Sequence, residues 1–286
     1  MSTRTANPMW SALASAFRTN KTSWVGFVMI VLIILAALLA PVLAPADPIE
    51  QDILRKLEPP SAESILGTDS FGRDILSRIL YGARISLVVG LASILIASLI
   101  GGALGVIAGY VGGRVDRLIM GAMDVMLAFP TLLLGLMIVA MIGPSLQNLI
   151  IAIALTEIAP FARIARAPTL LLREREFIEA GRALGFSDLR LMFVHILPNI
   201  VSDLVVMGTL WMAQAIRTEA SLSFIGLGVP PPTATWGSMV REGFEHILDA
   251  PWLAVLPSLA ILLTVIALNM LGDGLRDAID PKLRRE

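Results

Sequence analysis

Cysteine is absent from this 286-residue sequence, and histidine and tyrosine occur only twice each. Without cysteine the chain forms no disulfide bond and offers no thiolate as a nucleophile or zinc ligand. The two histidines, His195 and His246, lie far apart and lack the spacing of a metal site. No serine, histidine and acid occur in a recognisable triad context. These absences argue against an enzyme that works through a metal, a thiol or a triad.

A nucleotide-binding loop is also absent, because no glycine-rich stretch is followed by Gly-Lys-Ser or Gly-Lys-Thr. We therefore expect the chain itself to bind no cofactor, neither ATP nor Mg²⁺. If the protein moves a solute uphill, the energy must come from a partner or from an ion gradient.

Charge is scarce as well. Charged residues make up 16% of the sequence and hydrophobic residues 56%, whereas soluble chains have about 25% and about 45–50%. This composition predicts a membrane protein, with lipid as its first partner. The formal net charge of −1 makes nucleic acid an unexpected partner.

Six apolar runs are long enough to cross a hydrocarbon core of about 30 Å. They cover residues 24–43, 85–110, 118–142, 146–165, 199–222 and 252–271. The first run is too long for a signal peptide, so we interpret it as an uncleaved helix. The second is rich in small residues, which predicts burial in a bundle, and Pro130 and Pro160 predict kinks in the third and fourth. The fold class is therefore an all-α membrane protein with six transmembrane helices.

The distribution of Lys and Arg places both termini in the cytoplasm by the positive-inside rule. Residues 1–23 then form a cytoplasmic segment, either an interfacial helix or a disordered tail. Residues 44–84 form a periplasmic loop, residues 85–275 the transmembrane core and residues 276–286 a cytoplasmic tail.

Two polar stretches on the outer side contain helix signals. Asp69 or Ser70 predicts the cap of a helix from Phe71, and we expect Arg73 and Asp74 to form a local ion pair. A second stretch, after the prolines at 230–232, predicts an amphipathic helix over residues 238–247. That helix either contacts a protein docking from outside or simply covers the bundle.

Residues 173–198 separate the fourth and fifth runs and are too charged to lie in hydrocarbon. The charged side chains are Arg173, Glu174, Arg175, Glu176, Glu179, Arg182, Asp188 and Arg190. Phe177, Ala180 and Leu184 recur at helical spacing, which predicts an amphipathic helix at the membrane face.

The second half of this segment contains signals for a turn and a new helix. Gly185 predicts a helix stop in the left-handed conformation, and Ser187 or Asp188 predicts the cap of the next helix. Pro198 marks a bend or a fresh start. The element is either an ordinary amphipathic loop or a small structured unit that docks into another protein.

Acidic residues within the runs are candidates for a solute or ion path, and Glu157, Asp203 and Glu219 are the main ones. Glu157 lies close before Pro160, so it either faces the path or satisfies backbone groups freed by the proline. Asp203 and Glu219 lie near span ends, where local pairing or snorkelling is the alternative. The other charges of this kind are Asp124, Arg217 and Asp273.

The motif Glu179-Ala180-Gly181, Gly185 and Leu197-Pro198 resembles the EAA motif of ABC importer permeases in its spacing. Gly181 replaces the second alanine of that motif, and His195 replaces its isoleucine. The resemblance implies a coupling helix that sits on a cytoplasmic ATPase, with Glu179 as its anchor. The coupling residues so implied are Glu179, Ala180, Gly181, Leu184, Gly185 and Phe186.

Further blocks resemble the dipeptide, oligopeptide and nickel branch of these permeases, and the first block points to its C-type subunit. They are residues 66–87 (LGTD, GRD, SR, YGAR, SL), 219–228, 230–237, 256–264 and 272–281. This resemblance implies the type I importer fold in a bacterial inner membrane. It also implies a second homologous permease, ATPase subunits that bind ATP and Mg²⁺, and a solute-binding protein. The solutes implied are peptides, or alternatively nickel chelates, glutathione or oligosaccharides.

Two rival classes make different demands on the sequence. A secondary transporter predicts paired charges in the membrane and repeated halves with broken helices. Neither is evident, although Asp124 and Glu157 keep that alternative open. A membrane enzyme predicts a cluster of catalytic residues at one face, which two scattered histidines do not provide.

Overall fold

The fold is that of a computed structural model, which describes residues 21–279. The predicted N-terminal segment up to residue 20 and the tail from residue 280 lie outside the described residues. The helices are α1 (Lys21–Leu38), α2 (Ala40–Leu43), α3 (Ile75–Val111), α4 (Gly113–Leu127), α5 (Thr131–Ile142), α6 (Leu146–Leu172), α7 (Glu176–Ala183), α8 (Asp188–Arg190), α9 (Leu197–Ile225), α10 (Trp236–Glu245) and α11 (Trp252–Ile279), with a 3-10 turn at Ile53–Arg55 and a π-helical turn at Leu191–Ile196. No strand occurs between residues 21 and 279.

Five of the helical stretches are long and apolar enough to cross a bilayer, which confirms the predicted all-α membrane fold. They are α1, α3, α6, the continuous stretch from α8 to the end of α9, and α11. The third predicted span, 118–142, is not one helix, because α4 and α5 meet at an angle of 91°. Pro130 explains the break, since proline cannot donate to the helical ladder and disfavours helical backbone in Phe129. The described residues thus contain five unbroken spans, or six if this bent pair is taken as one broken span.

Pro160 has a milder effect than Pro130, because α6 stays helical from Leu146 to Leu172 through both Pro160 and Pro168. The helix is supported along its length by α3, which is its principal neighbour. Tertiary packing therefore maintains a helix that proline alone would interrupt.

The second span begins well before the predicted residue 85, because Asp74 caps α3 at Ile75. Its carboxylate accepts a hydrogen bond from the Ser77 backbone N–H at 2.8 Å. The predicted caps at Asp69 and Ser70 are wrong, since the Asp69 carboxylate accepts from the backbone N–H groups of Phe71 and Arg73 in a tight turn. The predicted outer helix and the second span are thus one helix.

Three glycines on one face of α3 let it lie directly on the backbone of α6. A β-carbon built on Gly101 would be 2.4 Å from the Ile158 carbonyl oxygen, and one on Gly105 would be 2.2 Å from the Ala162 carbonyl oxygen. A β-carbon on Gly109 would be 2.9 Å from both the Arg166 carbonyl oxygen and Thr169 Cβ. This confirms that the small residues of the second span serve close packing in the bundle.

Four charged side chains form a buried cluster at the end of the bundle where α3 begins. This Glu242 cluster consists of Asp69, Arg73, Arg78 and Glu242. Arg73 Nε lies 2.6 Å from Asp69 Oδ2, and Arg73 Nη2 lies 2.9 Å from Glu242 Oε2. Arg78 also faces both acids. The predicted Arg73–Asp74 pair is therefore wrong, because Asp74 is occupied as the α3 cap and Arg73 turns inward to join the preceding loop to α10.

The helix predicted over residues 238–247 is present as α10, which begins two residues earlier. Thr235 and Ser238 cap it reciprocally in a capping box. Trp236 is buried, and its Nε1–H donates to the Ile79 carbonyl oxygen at 3.1 Å. This bond secures the start of α10 against the start of α3.

The α3–α6 contact predicts that Gly105→Ala destabilises the fold. The added methyl group overlaps the Ala162 carbonyl, and overpacking of this kind costs about 1–3 kcal/mol. The midpoint of thermal unfolding in detergent, followed by tryptophan fluorescence, should fall. Gly121→Ala is the matched control, because a β-carbon on this α4 glycine meets nothing within 4 Å. Equal midpoints for both variants would contradict the packing argument.

The Glu242 cluster predicts that Glu242→Gln destabilises the protein by about 3 kcal/mol, because it leaves two buried guanidinium groups with one carboxylate. The same thermal assay measures the loss. Glu245→Gln, an equivalent change of an exposed residue on the same helix, should leave the midpoint unchanged. A Glu242→Gln protein as stable as the wild type would show that the cluster contributes little.

Candidate functional site

The segment between α6 and α9 is a helix, a glycine turn and a second short helix, as the sequence predicts. The amphipathic helix α7 spans Glu176–Ala183 and has two distinct faces. Ile178 and Gly181 are buried against the rest of the chain, whereas Phe177 is 47% exposed and Leu184 is 74% exposed. The predicted apolar stripe of Phe177, Ala180 and Leu184 thus lies on the outward face, with Glu179 exposed beside it.

The two glycines of the motif act in different ways. A β-carbon on Gly181 would be 2.8 Å from Leu191 Cδ2 and 3.2 Å from Phe186 Cδ2, so a larger residue here would displace these two side chains inside the segment. Gly185 has a φ of +80°, which confirms the predicted left-handed stop. Nothing lies within 4 Å of a β-carbon placed there, so backbone conformation alone accounts for this glycine.

Ser187 caps the second helix, as one of the two predicted candidates. Its hydroxyl accepts a hydrogen bond from the Arg190 backbone N–H at 3.4 Å. From Asp188 the chain stays helical through the π-turn to Ile225. Pro198 lies in the first turn of α9, where its missing N–H is tolerated, so of the two predicted alternatives it marks the fresh start of an α-helix directly after the π-turn.

The Phe186 ring contacts one cationic side chain and one aromatic side chain. The Arg190 guanidinium lies 4.2 Å from the centre of its ring, and the His195 ring is stacked on it at 5.6 Å with an interplanar angle of 6°. His195, where the EAA motif has isoleucine, thus supports Phe186 through ring stacking.

Tyr110 is a member of this site that sequence reasoning missed. It lies near the end of α3, and its hydroxyl donates a 2.7 Å hydrogen bond to Asp188 Oδ1. The Arg182 guanidinium lies 5.1 Å from the centre of its ring. A single tyrosine at a span end normally indicates an interfacial anchor, so the only available signal was its rarity, two tyrosines in 286 residues.

The candidate pathway acids do not assemble into one site. Glu219 is buried and accepts hydrogen bonds from Ser86 on α3 at 3.0 Å and from Ser223 on its own helix at 2.7 Å. Glu219 is therefore paired with neighbouring hydroxyl groups, which is the predicted alternative to a pathway position. Within residues 21–279, no hydrogen bond or ion pair joins Glu219 to Glu157 or Asp203.

Glu157 is buried in α6, and neither of its carboxylate oxygens has a hydrogen-bond partner among residues 21–279. It therefore does not satisfy backbone groups freed by Pro160. Asp203 is half-buried on α9, and Asp273 is exposed on α11. Asp124 forms an exposed ion pair with Arg163 at 2.5 Å. Arg163 was not identified from the sequence as its partner.

Arg217 donates to the side chain of Gln214, one turn earlier on α9. As for metals, no three His, Asp or Glu side chains within residues 21–279 are arranged to hold an ion.

Family models match two parts of the chain. Residues 101–285 match the model described as "Binding-protein-dependent transport system inner membrane component". Residues 9–60 match the "N-terminal TM domain of oligopeptide transport permease C". The second match covers the first span and the loop that follows it, which supports the C-type assignment.

Similar proteins of almost the same length share close to half of the sequence. The dipeptide transport system permease protein DppC of Alkalihalophilus pseudofirmus is 45% identical, over 98% of this chain and 92% of the relative. The di/tripeptide transport system permease protein DppC of Pseudomonas aeruginosa is 46% identical, over 94% and 91%. The glutathione transport system permease protein GsiD of Pectobacterium atrosepticum is 44% identical, over 96% and 92%.

A solved structure shares the fold at low sequence identity. A chain of the MetNI methionine ABC transporter, crystallised in inward-facing conformations, superposes with a TM-score of 0.58 and 17% identity, covering 71% of this chain and 97% of that one. Together with the helical bundle and the motif spacing, these matches lead to one conclusion. The chain belongs to the family of binding-protein-dependent transport system inner membrane components and is a multi-pass permease subunit of an ABC importer.

Proposed function

We propose that this permease subunit imports di- or oligopeptides, with ATP hydrolysed by partner subunits. The names of the dipeptide and di/tripeptide relatives support the peptide substrate, since they are 45% and 46% identical over nearly the whole chain. Glutathione is the second candidate substrate, because a glutathione permease is 44% identical. The absence of a nucleotide-binding loop in the sequence supports the division of labour.

The exposed apolar stripe of α7 is the observation that supports an ATPase-docking site. Phe177 and Leu184 are exposed on α7, and Leu189 on the neighbouring α8 is 66% exposed. Exposed apolar groups rimmed by charges indicate a protein interface, and the charge of this segment keeps it out of hydrocarbon. Glu179 and Ala180 lie on the exposed side, while Gly181, Gly185 and Phe186 shape the turn behind it.

The position of the α7 segment also supports an orientation with this segment and both termini in the cytoplasm. The Glu242 cluster lies at the start of α3, and the Tyr110–Asp188 bond lies at its other end. The loop before α3 and the helix α10 are therefore on one side of the bundle, and the α7 segment is on the opposite side. If α7 meets an ATPase, that side is cytoplasmic, and both termini lie there with it.

The mechanism we propose is alternating access between two permease subunits. ATP-driven closure of the ATPases moves α7. The spans then rotate as rigid bodies, which opens the outer side to a solute-binding protein. The bent α4–α5 pair is the kind of broken helix that a secondary transporter uses. Membership of a binding-protein-dependent family favours the ATP-driven mechanism over that alternative.

Purification from detergent-solubilised membranes tests this proposal. We expect an ABC ATPase and a second permease of similar size to co-purify with the chain. In liposomes that contain these partners and the binding protein, dipeptide uptake should require internal ATP and should persist when ion gradients are collapsed. A chain that purifies alone and moves peptide without ATP would contradict the proposal.

We expect Glu179→Lys to reduce peptide uptake at least tenfold without changing the abundance of the protein in the membrane. The reversed charge lies at the proposed docking face, so less ATPase should co-purify. Glu174→Lys is the matched control, since it reverses the charge of another exposed glutamate, just before α7. Normal uptake by the Glu179→Lys protein would exclude a docking role for this residue.

A further inference from the structure

Tyr110 connects the end of α3 to both halves of the proposed docking segment. Its hydroxyl donates to Asp188 Oδ1 at 2.7 Å, which ties α3 to α8. Arg182 on α7 covers the ring, and its Nε–H donates to the hydroxyl oxygen at 3.4 Å. One side chain thus contacts the helices on either side of the Gly185 turn.

The two ends of this connection belong to different spans. Asp188 begins the helical stretch that continues without interruption to Ile225, the end of the fifth span. Tyr110 belongs to α3, which packs against α1, α6 and α9. A displacement of α7 and α8 that moves Arg182 and Asp188 therefore reaches α3 through Tyr110 and the fifth span through Asp188.

Other contacts close to Tyr110 hold the same end of α3, but in a different way. Arg173 Nη1 donates to the Gly109 carbonyl oxygen at 3.2 Å, and Thr169 packs on the glycine itself. These contacts join α3 to α6 and its end, before the docking segment begins. Within residues 21–279, the Tyr110 hydroxyl is the side-chain hydrogen-bonding group through which α3 is tied to α7 and α8.

We propose that the Tyr110 hydroxyl, through its bond to Asp188, is a positioning group that transmits ATPase-driven movement of α7 to α3. This role rests on the proposed docking of an ATPase at α7. Charge-assisted hydrogen bonds are about twice as strong as neutral ones and are directional. Loss of the bond should leave the docking surface unchanged but let α7 move without carrying α3 with it.

The test is the number of peptides transported per ATP hydrolysed by the reconstituted complex with its partners and binding protein. Tyr110→Phe retains the ring under the Arg182 guanidinium but removes the hydroxyl, and with it the hydrogen bonds to Asp188 and from Arg182 Nε. We expect this ratio to fall at least threefold, with unchanged membrane abundance and unchanged co-purification of the ATPase.

Tyr81→Phe is the matched control. Tyr81 is the other tyrosine of the sequence, lies on the same helix, and has the Arg84 guanidinium 5.8 Å from its ring centre. It lies toward the opposite end of α3, so its removal should leave the ratio unchanged. Asp188→Ala should lower the ratio, and the Tyr110→Phe, Asp188→Ala double variant should be no worse than the more impaired single variant.

Three outcomes would overturn the proposal. The first is a Tyr110→Phe ratio equal to that of the wild type. The second is a parallel fall of uptake and ATP hydrolysis at a constant ratio. The third is a Tyr81→Phe ratio that falls as much as that of Tyr110→Phe. The second outcome is what a purely structural role produces. A wild-type chain with which no ATPase co-purifies would instead overturn the docking proposal, so the two failures are distinguishable.

Discussion

Direct backbone contact between α3 and α6 is the constraint on which the rest of the bundle depends. Gly101 and Gly105 bring the two helices closer together than any side chain would allow. In a bilayer such packing replaces much of the hydrophobic drive that orders soluble proteins. Because α6 leads directly into α7, and α3 ends at Tyr110, this contact also determines where the α7 segment lies relative to the second span.

Polar groups are distributed around this contact according to the cost of placing charge in hydrocarbon. The Glu242 cluster gathers four charges at one end of α3, and the Tyr110–Asp188 bond lies at the other. Between them, Glu219 is satisfied by two serine hydroxyls. Each of these groups has a partner on another element, so the polar interactions align the ends of helices whose apolar middles only pack together.

The α7 segment shows how one motif serves two purposes. Gly181 and Ile178 face the protein, and the side chains of Leu191 and Phe186 pack closely on Gly181 from within. Phe177 and Leu184 face outward and leave an apolar surface uncovered. Inward packing gives the segment a defined shape, and the outward face is then free to bind. The small residues of such a motif are therefore not all evidence of close approach by a partner.

The sequence by itself determined the membrane class, five of the spans and the helix–glycine–helix segment, because apolar run length, charge density and a residue with positive φ are local properties. Only the tertiary structure decided which side chains are paired with one another. Arg73 pairs with Asp69, four residues earlier, and with the distant Glu242 rather than with its neighbour Asp74. Tyr110 meets Asp188, which is also distant in the chain, so neither long-range partner follows from local sequence. The 91° break at Pro130 and the continuous helix through Pro160 make the same point. A proline inside a helix removes a backbone hydrogen bond, but the packing around it determines whether the helix breaks.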